Sequence, residues 1–259
     1  MAVAEFKILF KGKGSSNNPA KYRYIGLLNH AYKIMAICLL NRMIKETDWF
    51  LSDWQAGFRS GRGCRDNVLL LRVIYDQIIN GYDKCVITYI DFEAAFDSIS
   101  HKFLDEALGE AKASRKTRAI FRAIYQAASA TTRVADLDGK EVQSNPFPIR
   151  RGVVQGDITS PLYFVIALQL ILTRHDNVSG KGVQFAEDTV HTLAYADDAA
   201  LLDNDTATAT ALVTAIAQGS KQDADMEINT AKTEVVYFRE QGRVPAATQA
   251  ELKTACKHK

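Results

Sequence analysis

Two adjacent carboxylates, Asp197 and Asp198, stand between two short apolar runs, residues 193–195 and 199–202. Such runs read as the strands of a hairpin with the acids at its tip. Aspartate is depleted from strands, and a buried carboxylate is costly unless a cation offsets its charge. The pair therefore suits a hard divalent ion such as Mg2+. A solvated acidic turn accounts for this stretch equally well, so the choice depends on the rest of the chain. Asp91 closes a second run, Cys85 to Ile90, whose Val, Ile, Thr and Tyr content predicts a buried strand. Pairing of these strands would bring three carboxylates together. Two-metal phosphoryl transfer uses such a cluster, with oxygen ligands holding two ions roughly 3.5–4 Å apart, one activating the attacking oxygen and one stabilising the leaving oxygen. The protein's share of that chemistry is positioning and charge neutralisation.

The elements that must position these acids follow from pattern and punctuation. An opening strand at Phe6 to Phe10 leads into a Gly- and Ser-rich loop, and Ile34, Ile37 and Leu40 mark a helix over 30–45. A Gly- and Arg-rich loop, Gln55 to Arg65, precedes Asp66, expected as the N-cap of a helix with Leu70, Ile74 and Ile78 on its buried face. Ser100 is expected to cap a helix reaching Ala111, and a second helix runs over 116–128. Asp138-Gly139 between two β-rich runs predicts a hairpin. Ser160 and Pro161 are placed as N-cap and first residue of a helix to Leu172. Residues 206–218 predict a helix ended by Gly219, and 233–238 a final strand. No internal repeat or low-complexity linker interrupts this order.

The 259 residues hold enough apolar side chains for one large domain or two small ones, and the composition excludes a disordered chain. No apolar run reaches the roughly 18 residues of a membrane span. The four cysteines form no CxxC pair, which argues against a zinc site and suits a reducing compartment. The net charge of +2 is unevenly spread: residues 1–90 carry 13 Lys and Arg against 7 Asp and Glu, whereas residues 156–259 carry 9 against 14. A phosphate-rich polymer on one side and metal ions on the other would fit that split, as would ordinary surface variation. Arg23, Arg59 and Arg62 are candidates for gripping phosphates, since a guanidinium pairs with phosphate in a bidentate way; a solvated arginine is the plain alternative for each.

The order of the motifs resembles reverse transcriptases, most closely those of non-LTR (LINE-type) retrotransposons. The resemblance lies in Asp91-(x)4-Phe96-Asp97, Gln155-Gly156-Asp157 followed by Ser160-Pro161, Tyr195-Ala-Asp-Asp198 and Asn229-x-x-Lys232-Thr233. Upstream, Tyr22-Arg23-x-Ile25-x-Leu27-Leu28-Asn29, Tyr32-Lys33-Ile34 and Gln55-Ala-Gly-Phe-Arg59 resemble that family's fingers motifs. The match runs from about Phe6 to Phe238. It implies that Asp91, Asp197 and Asp198 bind two Mg2+ ions, and that Phe96 stands against the sugar and disfavours a 2′-hydroxyl. It further implies that Gln155 and Gly156 line the incoming nucleotide, and that Lys232 donates a proton to pyrophosphate. No metal role follows for Glu93, Asp97 or Asp157, and His191 reads as structural. Tyr24 and Gly26 depart from the family's usual Pro and Ser.

The expected architecture is α+β: a polymerase palm with an antiparallel sheet backed by helices (85–99 and 148–240), a fingers subdomain (1–90 and 100–147) and a tail (241–259). A thumb is not recognisable after the last strand, nor an endonuclease at either end, so the chain resembles a fingers–palm portion of a larger polyprotein. The implied function is RNA-directed DNA synthesis on an RNA template and DNA primer from deoxynucleoside triphosphates. The resemblance places it inside the cell, nuclear or cytoplasmic, without a membrane partner. An intron-encoded reverse transcriptase or maturase, an inactive RNA-binding remnant and a palm-fold nucleotidyl cyclase are the alternatives.

Overall fold

Alternating and helical hydrophobic patterns in this sequence become eleven strands and seven helices in the computed structural model, which describes residues 4–79, 84–135, 140–175, 182–185 and 187–238. In chain order these are β1 (Ala4–Phe10), β2 (Tyr22–Leu27), α1 (His30–Thr47), α2 (Cys64–Ile79), β3 (Cys85–Ile90), α3 (Ala95–Ser98), α4 (His101–Glu110) and α5 (Arg115–Gln126). There follow β4 (Ser129–Ala135), β5 (Glu141–Gln143), β6 (Phe147–Pro148), α6 (Ser160–Arg174), β7 (Val183–Phe185), β8 (Asp188–Val190), β9 (Thr192–Tyr195), β10 (Asp198–Asp203), α7 (Thr206–Ala224) and β11 (Glu234–Phe238). The Asp138-Gly139 turn lies outside the described residues, although β4 and β5 pair antiparallel with Arg133 opposite Gln143. No helix of the described residues is long and apolar enough to cross a membrane.

The chain divides into two compact units, residues 1–49 with 96–166 and residues 50–95 with 167–259. The first is built on a mixed sheet of order β2-β1-β4-β5, with β6 also paired to β4. β1 runs antiparallel to β2 and parallel to β4. Beside the sheet, α4 and α5 bury Phe103, Leu104, Leu108 and Phe121, and α6 adds Tyr163 and Phe164. Each such fully buried side chain stabilises the fold by about 1.5–3 kcal/mol. Ser100 caps α4 as expected, accepting the Phe103 N–H. α5 is held to α4 by Asp105, which accepts hydrogen bonds from Arg118 at 2.9 and 3.2 Å and from Arg122 at 2.8 Å.

Burial by itself would raise the Asp105 pKa, but the two guanidiniums outweigh it and hold the carboxyl below its ordinary value. A carboxylate with a depressed folded-state pKa stabilises the fold above its unfolded pKa, and that contribution is lost as pH falls through the folded value. Asp105→Asn is therefore expected to lower stability by about 1–2 kcal/mol at pH 7. The gap in denaturant midpoint between the two proteins should close as the pH is taken below 4. A gap that persists unchanged into acid would refute the charge-based account.

The second unit centres on a four-stranded antiparallel sheet of order β11-β3-β10-β9. Ile74 and Ile78 of α2 pack on one face with Cys85, Ile87, Leu193 and Leu202, together with Val183 and Val190 from the β7–β8 pair. α7 covers Val86 through Ala209. Two sequence expectations are corrected in this unit. α2 starts at Cys64, and Asp66 is not its N-cap: the carboxylate reaches back one turn to accept the Gly63 N–H at 2.8 Å, as the acid of a capping box does. Gly219 does not end α7, which continues to Ala224 and closes on Asp225 in the left-handed conformation, φ 59°. Gly219 is needed inside the helix because a Cβ there would lie 2.1–2.3 Å from the His175 ring. In α6, Thr159 rather than Ser160 precedes the first turn, its carbonyl accepting the Tyr163 N–H.

Candidate functional site

Strand register decides where the three aspartates go. β10 pairs antiparallel with β3, Ala199 opposite Ile90, and with β9, Asp198 opposite Tyr195. Asp91, one residue past Ile90, is thereby carried to the same end of the sheet as Asp198. Asp197 occupies the two-residue turn beside Ala196, whose φ is +58°. Only five non-glycine residues among those described have positive φ, and two of them, Ala94 and Ala196, lie within three residues of these aspartates in sequence. Backbone strain of this kind persists where surrounding structure enforces it.

The segment after α7 returns to the same sheet end. Glu93 N–H bonds to Glu227 O at 2.8 Å, and Asn229 N–H to Asp91 O at 2.7 Å. The Asn229 side chain accepts the Ala231 N–H, and its carbonyl accepts Lys232 and Thr233 N–H, which folds the Asn-x-x-Lys-Thr stretch into a tight turn. That turn delivers the Lys232 ammonium to Asp91, 3.0 and 3.2 Å from its two carboxylate oxygens. Burial raises the pKa of Asp197; the Asp198 and Asp91 charges add to the rise, while its own backbone N–H and Lys232 oppose it. Among the described residues, Lys232 is paired with Asp91 and acts on Asp197 through its charge. The donor set is all oxygen, which fits a hard divalent cation. Among the described residues no three His, Cys, Asp or Glu side chains are gathered closely enough to form a ready-made metal site. Mg2+ commonly takes one or two carboxylates and completes its shell with substrate phosphates and water.

In the other unit, the loop over 150–157 is sewn to residues 96–99. Val153 N–H bonds to Phe96 O and Gly152 N–H to Ile99 O, both at 2.7 Å. Phe96 is half-buried and stacks on Phe164 with centroids 4.4 Å apart. Gln155 donates its amide to Asp97, 3.2 and 3.3 Å from the carboxylate oxygens. Apolar surroundings raise the Asp97 pKa, with Gln155 and Lys11 acting against the rise. Gly156 has φ +105°, and a Cβ on it would meet Gly26 O at 2.6 Å. Gly26 in turn leaves no room for serine, because its own Cβ would fall 2.6 Å from Val154 Cγ1. Asp157 is buried as an anchor: its carboxylate accepts the Tyr32 hydroxyl at 2.9 Å and the Thr159 hydroxyl at 2.8 Å. Burial first, and the Asp157 charge second, push the Tyr32 hydroxyl well above its ordinary pKa.

The sequence profile of reverse transcriptases (RNA-dependent DNA polymerases) matches residues 11–254. The chain belongs to the reverse transcriptase family. Within that family it is 29% identical, over 202 residues, to the Pol polyprotein of the type-1 retrotransposable element R2 of Popillia japonica. It is 25% identical over 187 residues to that of R2DM from Drosophila melanogaster. The matches take in 78% and 72% of this chain but 28% and 17% of the two polyproteins, so the chain spans less than a third of these relatives. In fold it is similar to apo telomerase of Candida tropicalis, with a TM-score of 0.64 at 13% identity over 94% of this chain and 51% of that one. Telomerase of Candida albicans gives a TM-score of 0.60, likewise at 13% identity, over 95% of this chain and 42% of that one. These neighbours carry the α+β palm-and-fingers fold, in agreement with the architecture expected from sequence.

Among the reverse transcriptase motifs, the structure gathers Asp91, Asp197, Asp198 and Lys232 in one unit and Phe96, Gln155 and Gly156 in the other. Arg23 is exposed on β2. Arg59 and Arg62 instead serve their own loop: Arg59 donates to the carbonyls of Ser52 and Gln55, and Arg62 pairs with Asp53. Sequence reasoning missed Gln55 and Gly57, which touch the carboxylate hairpin directly. The signal available was the Gln55-Ala-Gly-Phe-Arg59 motif, which marked the stretch without giving either residue a role.

Proposed function

We propose that this chain is the nucleotidyl-transfer portion of a larger retrotransposon protein. The primer 3′-hydroxyl, held on an RNA template, attacks the α-phosphate of a deoxynucleoside triphosphate, and pyrophosphate leaves. The observation that carries this reading is the register of β3, β10 and β9, with Asp91, Asp197 and Asp198 at one sheet end and the Lys232 ammonium on Asp91. Asp91, Asp197 and Asp198 would hold two Mg2+ ions, which when bound supply the positive charge that activates the hydroxyl and stabilises the leaving oxygen. Phe96 sets the sugar preference, and the Gln155 amide, steadied by Asp97, orients the nucleotide beside the Gly156 backbone. Arg23 is the freest of the three arginines to meet a phosphate; Arg59 and Arg62 would first exchange their loop contacts. The four-stranded sheet and its hairpin serve as palm and the β2-β1-β4 sheet as fingers. The remaining length of the polyprotein supplies the thumb and endonuclease regions, and the work is done in the nucleus or cytoplasm.

Mg2+-dependent incorporation of labelled deoxynucleotides on a primed RNA template tests this, with Asp197→Ala/Asp198→Ala as control. Lys232 is assigned the proton delivered to pyrophosphate. Lys232→Ala is expected to lower the saturated rate about 10²-fold, the usual worth of a general acid. The KM for the nucleotide should change far less. An unchanged rate would leave Lys232 as no more than a counter-ion of Asp91.

A further inference from the structure

We propose that Gln55 is a positioning residue for the carboxylate-bearing hairpin, its amide oxygen holding the Ala196 N–H and with it the turn that presents Asp197 and Asp198. The inference rests on the reading above, in which those two aspartates hold the metal. β9 is the outer strand of its sheet, so the backbone groups on its free side need partners. The loop before α2 supplies them as a parallel strand: Ala194 N–H bonds to Trp54 O at 3.0 Å, and Ala56 N–H to Ala194 O at 2.9 Å. Asn67 adds a third bond, from its side-chain amide to Ala194 O at 3.0 Å.

The next outward-facing N–H along β9 is that of Ala196, and here the loop backbone has already turned away. The Gln55 side chain continues the ladder in its place. Its Oε1 accepts the Ala196 N–H at 3.1 Å and the Gly57 N–H at 2.8 Å, so one buried oxygen ties the loop's turn to the hairpin's turn. Gln55 is 2% exposed. The approach is tight enough that a Cβ on Gly57 would lie 2.2 Å from the Ala196 nitrogen. Ala196 at φ +58° adopts a conformation that alanine keeps only under such constraint. A hydrocarbon at position 55 would leave two buried N–H groups without an acceptor, while the Trp54, Ala56 and Asn67 bonds to β9 would survive. The strand would stay docked and the turn would loosen. A displacement of about 1 Å in such a site is enough to cost on the order of 10²-fold in rate.

The test compares the full chain with Gln55→Met, Gln55→Glu, Gly57→Ala and Asn67→Ala. Amide hydrogen exchange is followed over residues 192–199, Mn2+ binding by the electron-spin signal of the free ion, and primer extension at saturating nucleotide. Gln55→Met is expected to exchange at least about tenfold faster over 192–199, as loss of one buried hydrogen bond implies, with protection elsewhere unchanged. It should bind Mn2+ about tenfold more weakly and extend primers on the order of 10²-fold more slowly at little-changed KM. Gln55→Glu keeps the acceptor oxygen and should keep the protection at acid pH, where the buried carboxyl is neutral. Asn67→Ala removes a bond to β9 but none to the turn, and should lower Tm with wild-type Mn2+ binding. Gly57→Ala pushes directly on Ala196 and should repeat the Met signature, which keeps the test decisive if Gln55→Met does not fold. Unchanged exchange over 192–199 in Gln55→Met or Gly57→Ala overturns the proposal, as does exchange accelerated evenly along the chain with Mn2+ binding intact. The underlying metal reading fails separately, if Asp197→Ala/Asp198→Ala binds Mn2+ as wild type does.

Discussion

A chain carrying Asp197→Ala and Asp198→Ala is expected to fold normally and to incorporate deoxynucleotides at least about 10³-fold more slowly, roughly 4 kcal/mol of lost transition-state stabilisation. The two effects should part company for a physical reason. Neither aspartate forms a salt bridge among those of the described residues, and burial with the charges of Asp198 and Asp91 raises the Asp197 pKa. Ionised Asp197 therefore costs the fold something, and removing it relieves repulsion at the sheet end. Functional sites often carry such a stability cost, so the double variant should melt at or slightly above the wild-type temperature. Its Tm should also stop rising with added Mg2+, because an ion that binds only the folded state stabilises it by mass action. A double variant that extends primers normally would remove the carboxylates from the chemistry, and one that melts well below wild type would refute the stability cost assigned to them. Wild type and variant equally silent while both bind RNA would mean that this chain keeps the fold and has lost the activity.

The parts of this arrangement that were legible in the sequence are those set by neighbours along the chain. The hairpin with Asp197 at its tip, the buried β3 that leads into Asp91 and the Ser100 cap all follow from short apolar or β-branched runs or from one side chain bonding three residues on. What escaped was decided by contacts far away in sequence. Gly219 looks like a helix end, but it lies mid-helix because the His175 ring occupies the space of its Cβ. Lys232 reaches Asp91 across 141 positions, and Gln55 reaches Ala196 across the same separation. Gly26 departs from the family's serine for a reason visible only once Val154 is seen against it. For Gly219 a local rule named a role that tertiary packing overrode; for Gln55 and Gly26 no local rule offered one. Motif order was informative because it compressed those long-range contacts into sequence, residue type by residue type.

Gly152→Ala is expected to destabilise the protein by roughly 2–4 kcal/mol, from about 1 kcal/mol for a non-glycine residue at positive φ and about 1–3 kcal/mol for overpacking. Gly152 has φ +75°, and its Cβ would meet the O, C and Cα atoms of Asp97 at 2.7–2.8 Å. These are backbone atoms, which cannot swing aside as a side-chain end can. The loop has little freedom to retreat, being fixed by Gly152 N–H to Ile99 O, by Val153 N–H to Phe96 O and by the His101 ring nitrogen on Gly152 O at 2.9 Å. Gly12 provides the control: it has nearly the same φ, +72°, with nothing within 4 Å of its Cβ position. Gly12→Ala should therefore cost only the conformational part, about 1 kcal/mol. The difference in urea midpoint between the two variants, at unchanged slope, isolates the packing cost. Equal costs would mean that the loop yields easily and that its close approach to Asp97 is unimportant. A larger cost for Gly152→Ala should come with a raised KM for the nucleotide, because the same shift moves Gln155 away from the carboxylate that steadies its amide.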